Sequence, residues 1–316
     1  MKKIILLPII LGSALLITGS IIFSVAVAKN IQNSDTEFVN KTYNVSDFTN
    51  FDIDIDTAHV EFKPTTDGTS KVEISEREKE YHTVEVKDGT LTIKSFDDRK
   101  WYERIFNLYF QNMTIKVYAP KQAYNNLKIT SHTGDIYIPD GFTFSDVNVK
   151  LSTGNITLKS DVTNTTSIET STGNISLEMD TKNLTTKTST GNQKFVGVHV
   201  TETMNLKAST GSLTLNDVTA KSLEANTSTG DMRFTNVIVE ENIKLKASTG
   251  DINFMNCDAA SLDIETDTGD VILILLTGKT YDVRSSTGRP HYPDPVIGAG
   301  LCRVKTSTGL ISIKIA

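Results

Sequence analysis

Residues able to do chemistry are sparse and scattered in this 316-residue chain. The five histidines, His59, His82, His132, His199 and His291, lie far apart, with none at helical or metal-ligand spacing from another. They read as surface or ladder positions. Two cysteines, Cys257 and Cys302, are too few for a disulfide scaffold or a cysteine-rich zinc cluster. No Gly-x-Ser-x-Gly elbow, His-Glu-x-x-His pair or phosphate loop occurs, so nucleophilic, zinc and nucleotide-driven chemistry have no support. Carboxylates remain. Asp52, Asp54 and Asp56 alternate with Phe51, Ile53 and Ile55, the pattern of the solvated face of one strand. Asp231, Asp251 and Asp270 recur at near-equal intervals, and stacking them at about 4.8 Å is repulsive unless water or a cation such as calcium intervenes. The calcium nonapeptide with its paired glycines is absent, and turn capping by short side chains is the competing reading. No catalytic residue is assigned, and no cofactor is expected other than calcium at those three positions.

These aspartates belong to an internal repeat, Ser-Thr-Gly-(Asn/Asp)-apolar, as in Ser152-Thr153-Gly154-Asn155-Ile156 and Ser248-Thr249-Gly250-Asp251-Ile252. Its glycines are Gly134, Gly154, Gly173, Gly191, Gly211, Gly230, Gly250, Gly269, Gly288 and Gly309, at a mean spacing of about 19 residues. Apolar residues stand two and four places after each glycine, as Ile156 and Leu158 or Ile175 and Leu177 do. They also stand seven and five places before it, as Val147 and Val149, Leu262 and Ile264, or Tyr281 and Val283 do. Each repeat is therefore strand, Gly corner, strand and return segment. Thr followed by Gly suits a type II corner and not the type I′ turn of a hairpin. The expected fold is all-β: a β-solenoid, parallel β-helix-like, of about ten turns of 19–20 residues and roughly 48 Å in length.

The expected organisation has four parts. Residues 1–28 form a transmembrane anchor or signal-anchor, because Lys2 and Lys3 precede an uncharged run from Ile4 to Ala28, longer than the roughly 20 residues that span a bilayer. Ala26-Val27-Ala28 allows a cleaved signal peptide, but the run exceeds the usual apolar core of one, which favours the uncleaved anchor. The flanking charges orient the N-terminus inward, giving a single-pass cell-membrane protein with an extracytoplasmic ectodomain. Residues 29–43 form a polar stalk. Residues 44–130 form an irregular β cap and opening turns, with a hairpin at Lys87-Asp88-Gly89-Thr90. Residues 131–316 form the regular solenoid. Within the cap, Asp97–Asn112 carries Trp101, Tyr102, Ile105, Phe106, Tyr109 and Phe110 near helical spacing and reads as a cap helix or an exposed contact element. The formal charge is −6 overall and falls to −9 without Lys2, Lys3 and Lys29, which gives no footprint for nucleic acid.

Leu127-Lys128-Ile129-Thr130, then His132-Thr133-Gly134-Asp135-Ile136, the Ser-Thr-Gly-Asn/Asp units and Val86-Lys87-Asp88-Gly89-Thr90-Leu91-Thr92-Ile93 together resemble the bacterial putative-adhesin β-strand-repeat family. One member type is the LiaG-like membrane protein of cell-envelope-stress operons. The resemblance covers most of residues 45–316, implies a surface protein of Gram-positive type, and carries over no catalytic residues. The expected function is a non-enzymatic, adhesin-like binding module; the alternatives are a regulator or sensor component in an envelope-stress response and a glycan-active β-helix enzyme. Expected partners are the membrane, and a surface protein, a glycan or a second copy of the chain. The interaction patch is expected at the distal end. Positions three and five after the glycine are polar in most repeats but are Ile272 and Ile274 after Gly269, with Met255 before them and His291 and Pro293 after them. A proline-rich loop folding back over these residues is the competing reading.

Overall fold

The computed structural model describes residues 38–101 and 113–316. Among the described residues its elements are β-strands, with a helical backbone at Trp101 alone. The first seven are β1 (Val39–Asn44), β2 (Asn50–Thr57), β3 (His59–Thr65), β4 (Lys71–Glu76), β5 (Glu80–Lys87), β6 (Thr90–Asp97) and β7 (Thr114–Pro120). The repeats supply β8 (Ala123–Thr133), β9 (Ile136–Ile138), β10 (Thr143–Thr153), β11 (Ile156–Leu158), β12 (Asp161–Thr172), β13 (Ile175–Leu177), β14 (Asp180–Thr190), β15 (Gln193–Val196) and β16 (His199–Thr210). Longer strands then run through a second bend: β17 (Leu213–Thr229), β18 (Met232–Thr249) and β19 (Ile252–Thr268). The chain ends with β20 (Val271–Leu275), β21 (Thr280–Ser285), β22 (Leu301–Thr308) and β23 (Ile311–Ile315).

Pairing through the repeats is parallel and one repeat apart, with Val149 opposite Ile168 and Ile156 opposite Ile175. That is a coil and not a row of hairpins. The inward positions close the core: Val147, Val149, Ile156, Leu158, Ile175 and Leu177 are buried, while Ser176 between the last two is half-buried. The apolar run of residues 4–28, the stalk to residue 37 and most of the aromatic segment 97–112 lie outside the described residues. Among the described residues no helix is long and apolar enough to cross a membrane.

The corner differs from expectation in geometry and gains a second reason for glycine. The stacked corner glycines have φ from +132° to +152°, well past the roughly +80° of a type II turn. A Cβ on any of them would stand 1.9–2.2 Å from a carbonyl oxygen of the neighbouring corner. Glycine is needed both for the backbone angle and because stacked corners approach so closely. Buried threonines complete the packing: the hydroxyls of Thr170, Thr188, Thr227, Thr266 and Thr306 donate to the carbonyls of Gly154, Gly173, Gly211, Gly250 and Gly269 at 3.2–3.4 Å.

Both ends depart from sequence order. At the start, the irregular region already contains one coil, because β2 pairs with β8 and β3 with β9. Its corner is Thr57-Ala58-His59, which lacks the glycine that marks the others. β6 and β7 stack outside this coil, and the antiparallel strands β4, β1 and β5 close the end. The hairpin at Asp88-Gly89 forms as read, both residues having positive φ. At the far end β22 inserts between β19 and β21, so Gly309 stacks on Gly269 and Gly288 is displaced to the outside. Nine Gly-cornered turns stack, not ten. The swap also moves the cysteines. Cys302 lies opposite Leu262, one turn from the coil of Cys257, while Cys257 lies opposite Leu275. Both thiols are free and buried.

Candidate functional site

The row of residues after the corner is a hydrogen-bond ladder between turns. Asp135 Oδ1 accepts from the Asn155 backbone N–H at 2.7 Å, Asn155 from Asn174 at 3.0 Å, and Asn174 from Asn192 at 2.9 Å. Asn192 in turn accepts from Ser212 at 2.9 Å. Asp231 accepts from Asp251, Asp251 from Asp270, and Asp270 from Leu310 at 2.7 Å. These short side chains do cap backbone amides, and the amide each one serves belongs to the next turn. One oxygen of each of Asp231, Asp251 and Asp270 is thus engaged, and the other oxygen of Asp231 pairs with Arg233 at 2.6 Å. Among the described residues no group of three or more His, Cys, Asp or Glu side chains is placed to hold a metal ion.

A second ladder escaped the sequence reading. Gly197, Asp217, Asn236 and Asn256 stand six places after successive glycines, all with φ between +54° and +62°. Asn236 Nδ2 donates to Asp217 at 2.8 Å and Asn256 Nδ2 to Asn236 at 3.4 Å. Short amide and carboxylate side chains tolerate the left-handed conformation, which was the available signal.

Before the corner, outward rows form a groove of about 490 Å³ running across the turns. Lys187, Lys207 and Lys246 line it with Ser209, Ser228 and Ser248, and Glu265 and Asp267 stand at one end. Register aligns Lys187, Lys207, Asn226, Lys246 and Glu265 in one file, at the turn spacing of about 4.8 Å. The outer lysines are neutralised, Lys187 by Glu169 at 2.6 Å and Lys246 by Glu265 at 3.4 Å. The groove is therefore a nearly neutral file of hydroxyl, amide and ammonium donors. Lysine four places before the glycine was its sequence signature.

The expected patch is only partly assembled. Met255 is 54% and Ile272 40% exposed, and Ile274 is half-buried. On the outer face Ile272 lies between Asn253 and Ser312, and Ile274 has Lys314 on its far side. Because β23 stacks directly on β20, His291 sits one strand further out, bridged to Ser312. Pro293 follows it in a loop whose Tyr292 packs on Tyr281 with ring centroids 5.5 Å apart. The structure thus separates Met255, Ile272 and Ile274 from His291 and Pro293.

One histidine is not a surface residue. His82 is 1% exposed, and its Nδ1 lies 2.9 Å from Glu76, itself fully buried. Burial holds the imidazole below its ordinary value despite the opposing pull of Glu76. Arg77 and Arg99 pair with Glu80 at 3.0 and 2.7 Å nearby. His59, by contrast, is a ladder residue as read, its Nδ1 accepting from the Asp135 N–H at 2.9 Å.

Solved structures similar to this chain cover most of its length. A putative adhesin from Bacteroides fragilis is 16% identical, with TM-score 0.43, over 90% of this chain and 99% of that one. A putative lipid binding protein from Parabacteroides distasonis is 16% identical, with TM-score 0.49, over 89% and 98%. A putative adhesin from the same organism is 18% identical, with TM-score 0.43, over 90% and 98%. No curated protein matches the sequence. A family model does, over residues 48–201 and 178–274, and these ranges take in the opening Ala58 coil and the turns as far as Ile274. The stacked Gly-cornered coil is thus that of a known family, and the chain belongs to the Toastrack DUF4097 family.

Proposed function

We propose that this chain is a non-enzymatic, extracytoplasmic binding module of adhesin type, held at the cell membrane by its N-terminal apolar run. The observation that carries the reading is the groove across the turns. Its hydroxyl, amide and ammonium donors repeat in file and its outer lysines are neutralised. A neutral, extended, hydroxyl-rich polymer, a surface glycan, suits such a file better than a compact ligand or a polyanion. The test uses the full chain in nanodiscs against a glycan array and isolated cell walls. Retention expected of the parent should fall at least about tenfold in the variant Lys207→Glu; among the described residues the Lys207 ammonium is in no salt bridge, though it acts on Glu224 from a distance. Unchanged retention in that variant overturns the groove assignment, and release of reducing sugars overturns the non-enzymatic one. The resemblance to LiaG-like proteins favours a second reading, a regulator of envelope-stress signalling. Copurification of a membrane sensor, with no glycan retained, selects it.

A further inference from the structure

The swapped C-terminal end leaves β21 outermost in the sheet formed by the strands before the corner. Among the described residues β22 is its one strand partner, and on the outer side only the carbonyl of Lys279, just before the strand, is engaged, accepting from the Val296 N–H at 3.0 Å. The equivalent inward residues Ile264 and Val304 are fully buried, but Tyr281 and Val283 are half-buried because no coil covers them. The other sheet is closed differently. His291 adds one residue beside β23, donating to Ile311 at 2.9 Å and accepting from Ile313 at 2.8 Å, and Pro290 and Pro293 stop further pairing.

The hydrogen-bond phase of β21 follows from the Thr280 N–H donating to Gly300 at 2.9 Å. Even-numbered residues are thereby engaged with β22, and the N–H and C=O groups of Tyr281, Val283 and Ser285 point away from it. On the outer face stand Asp282 and Arg284, paired with each other at 2.9 Å in the single chain, with Arg303 of β22 3.6 Å from Asp282. An antiparallel strand can join this edge only in registers that set odd residues against odd residues. With Val283 opposite Val283 of a second copy, Asp282 faces Arg284 on both sides of the twofold axis. Moving the register by two residues either way sets Asp282 against Asp282 or Arg284 against Arg284. Charges on an edge normally block pairing. Here they block both neighbouring registers and favour the one centred on Val283.

We propose that β21 is a self-association edge, to which a second copy of this chain adds its own β21 antiparallel, centred on Val283. The pairing is isologous, joins two solenoids end to end and makes one sheet continuous through both. It does not depend on the glycan reading, since the groove and the edge share no residues.

The test is charge exchange read by sedimentation of the full chain in detergent. The parent should sediment as a dimer. Asp282→Arg places arginine at both outer positions and Arg284→Asp places aspartate at both, so each variant faces itself with two like-charge pairs. Each should associate roughly tenfold or more weakly. An equimolar mixture of the two restores both opposite pairs and should recover the dimer, which separates lost complementarity from misfolding. The doubly exchanged variant should dimerise alone. A monomeric parent, single variants that still self-associate, or a mixture that stays monomeric each overturns the proposal.

Discussion

Replacing Gly309 and Gly288 separately by alanine tests the swapped end, because the repeat motif treats the two alike and the structure does not. At Gly309 φ is +152° and a new Cβ would stand 2.0 Å from the Gly269 carbonyl oxygen. Holding alanine in so sparsely populated a backbone region costs about 1–3 kcal/mol. The clash also forces the two corners apart by more than an ångström, and three hydrogen bonds cross that gap. They are Gly269 N–H to Thr308 at 2.9 Å, Val271 N–H to Leu310 at 2.8 Å, and Leu310 N–H to Asp270 Oδ1 at 2.7 Å. At about 1 kcal/mol each, their loss brings the total to about 4–6 kcal/mol. At Gly288 the backbone lies outside the strained region and the Cβ meets the Gly309 oxygen at 3.2 Å, so the cost is below about 1 kcal/mol. For a chain of this size the difference corresponds to a Tm loss of roughly 10 °C for Gly309→Ala and about 2 °C or less for Gly288→Ala. Because turns near the end of an array can open alone, hydrogen exchange across β22 and β23 should accompany the melt. Gly250→Ala, with a clash at 2.2 Å inside the stack, serves as positive control. Equal losses at Gly288 and Gly309 would mean that turns stack in chain order and would refute the insertion of β22.

Three other outcomes are expected. Ile175→Asp or Leu177→Asp places a charge among fully buried residues and should abolish folded protein, whereas Ser176→Asp should express and melt like the parent; equal tolerance at all three refutes the face assignment. Burial pushes the Cys257 thiol up to about 11 and that of Cys302 to about 12, so alkylation near pH 8 should label neither until denaturant is added, and labelling of the folded protein would contradict their burial. His82 is held below its ordinary 6.5, so the folded state binds fewer protons than the unfolded one; its contribution is present above about pH 6.5 and is lost as pH falls below it. His82→Gln should flatten that acid limb of stability, and an unchanged limb would assign it to other groups.

The coil itself was legible because identical small polar residues recur at fixed spacing, and only stacked parallel strands give each copy the same environment. Ile156, Ile175 and their counterparts fell on the predicted face for the same reason. What stayed hidden depended on contacts remote in sequence. Thr57-Ala58-His59 makes a corner without glycine, so a search for Gly passes over it, although His59 takes the acceptor role that Asn or Asp plays elsewhere. His82 reads as one more isolated histidine until β5 turns it against Glu76. The groove required knowing which lysines share a file. Spacing reveals that they recur, but only the register of the coil shows that Lys187, Lys207 and Lys246 line up.

The end of the stack had a sequence trace, and it lies in the ladder. Most stacked corners are followed by Asp or Asn, whose side-chain oxygen accepts the backbone N–H of the next turn. Leu310, after Gly309, has no such oxygen: its N–H donates to Asp270, and its exposed side chain accepts from nothing. The row is also interrupted at Ser212 inside the stack, but Ser212 keeps a hydroxyl, whereas Leu310 has no side-chain oxygen. Arg289, after Gly288, equally lacks the short acceptor, so the row ends one backbone N–H beyond Asp270 whichever of the two repeats stacks on Gly269. The structure places Gly309 there, with the Leu310 N–H on Asp270, and leaves Gly288 outside. The same step leaves β21 without an outer neighbour. The feature that terminates the solenoid cleanly on one sheet is therefore the feature that exposes an edge on the other, and the opposite charges of Asp282 and Arg284 decide what can pair with it.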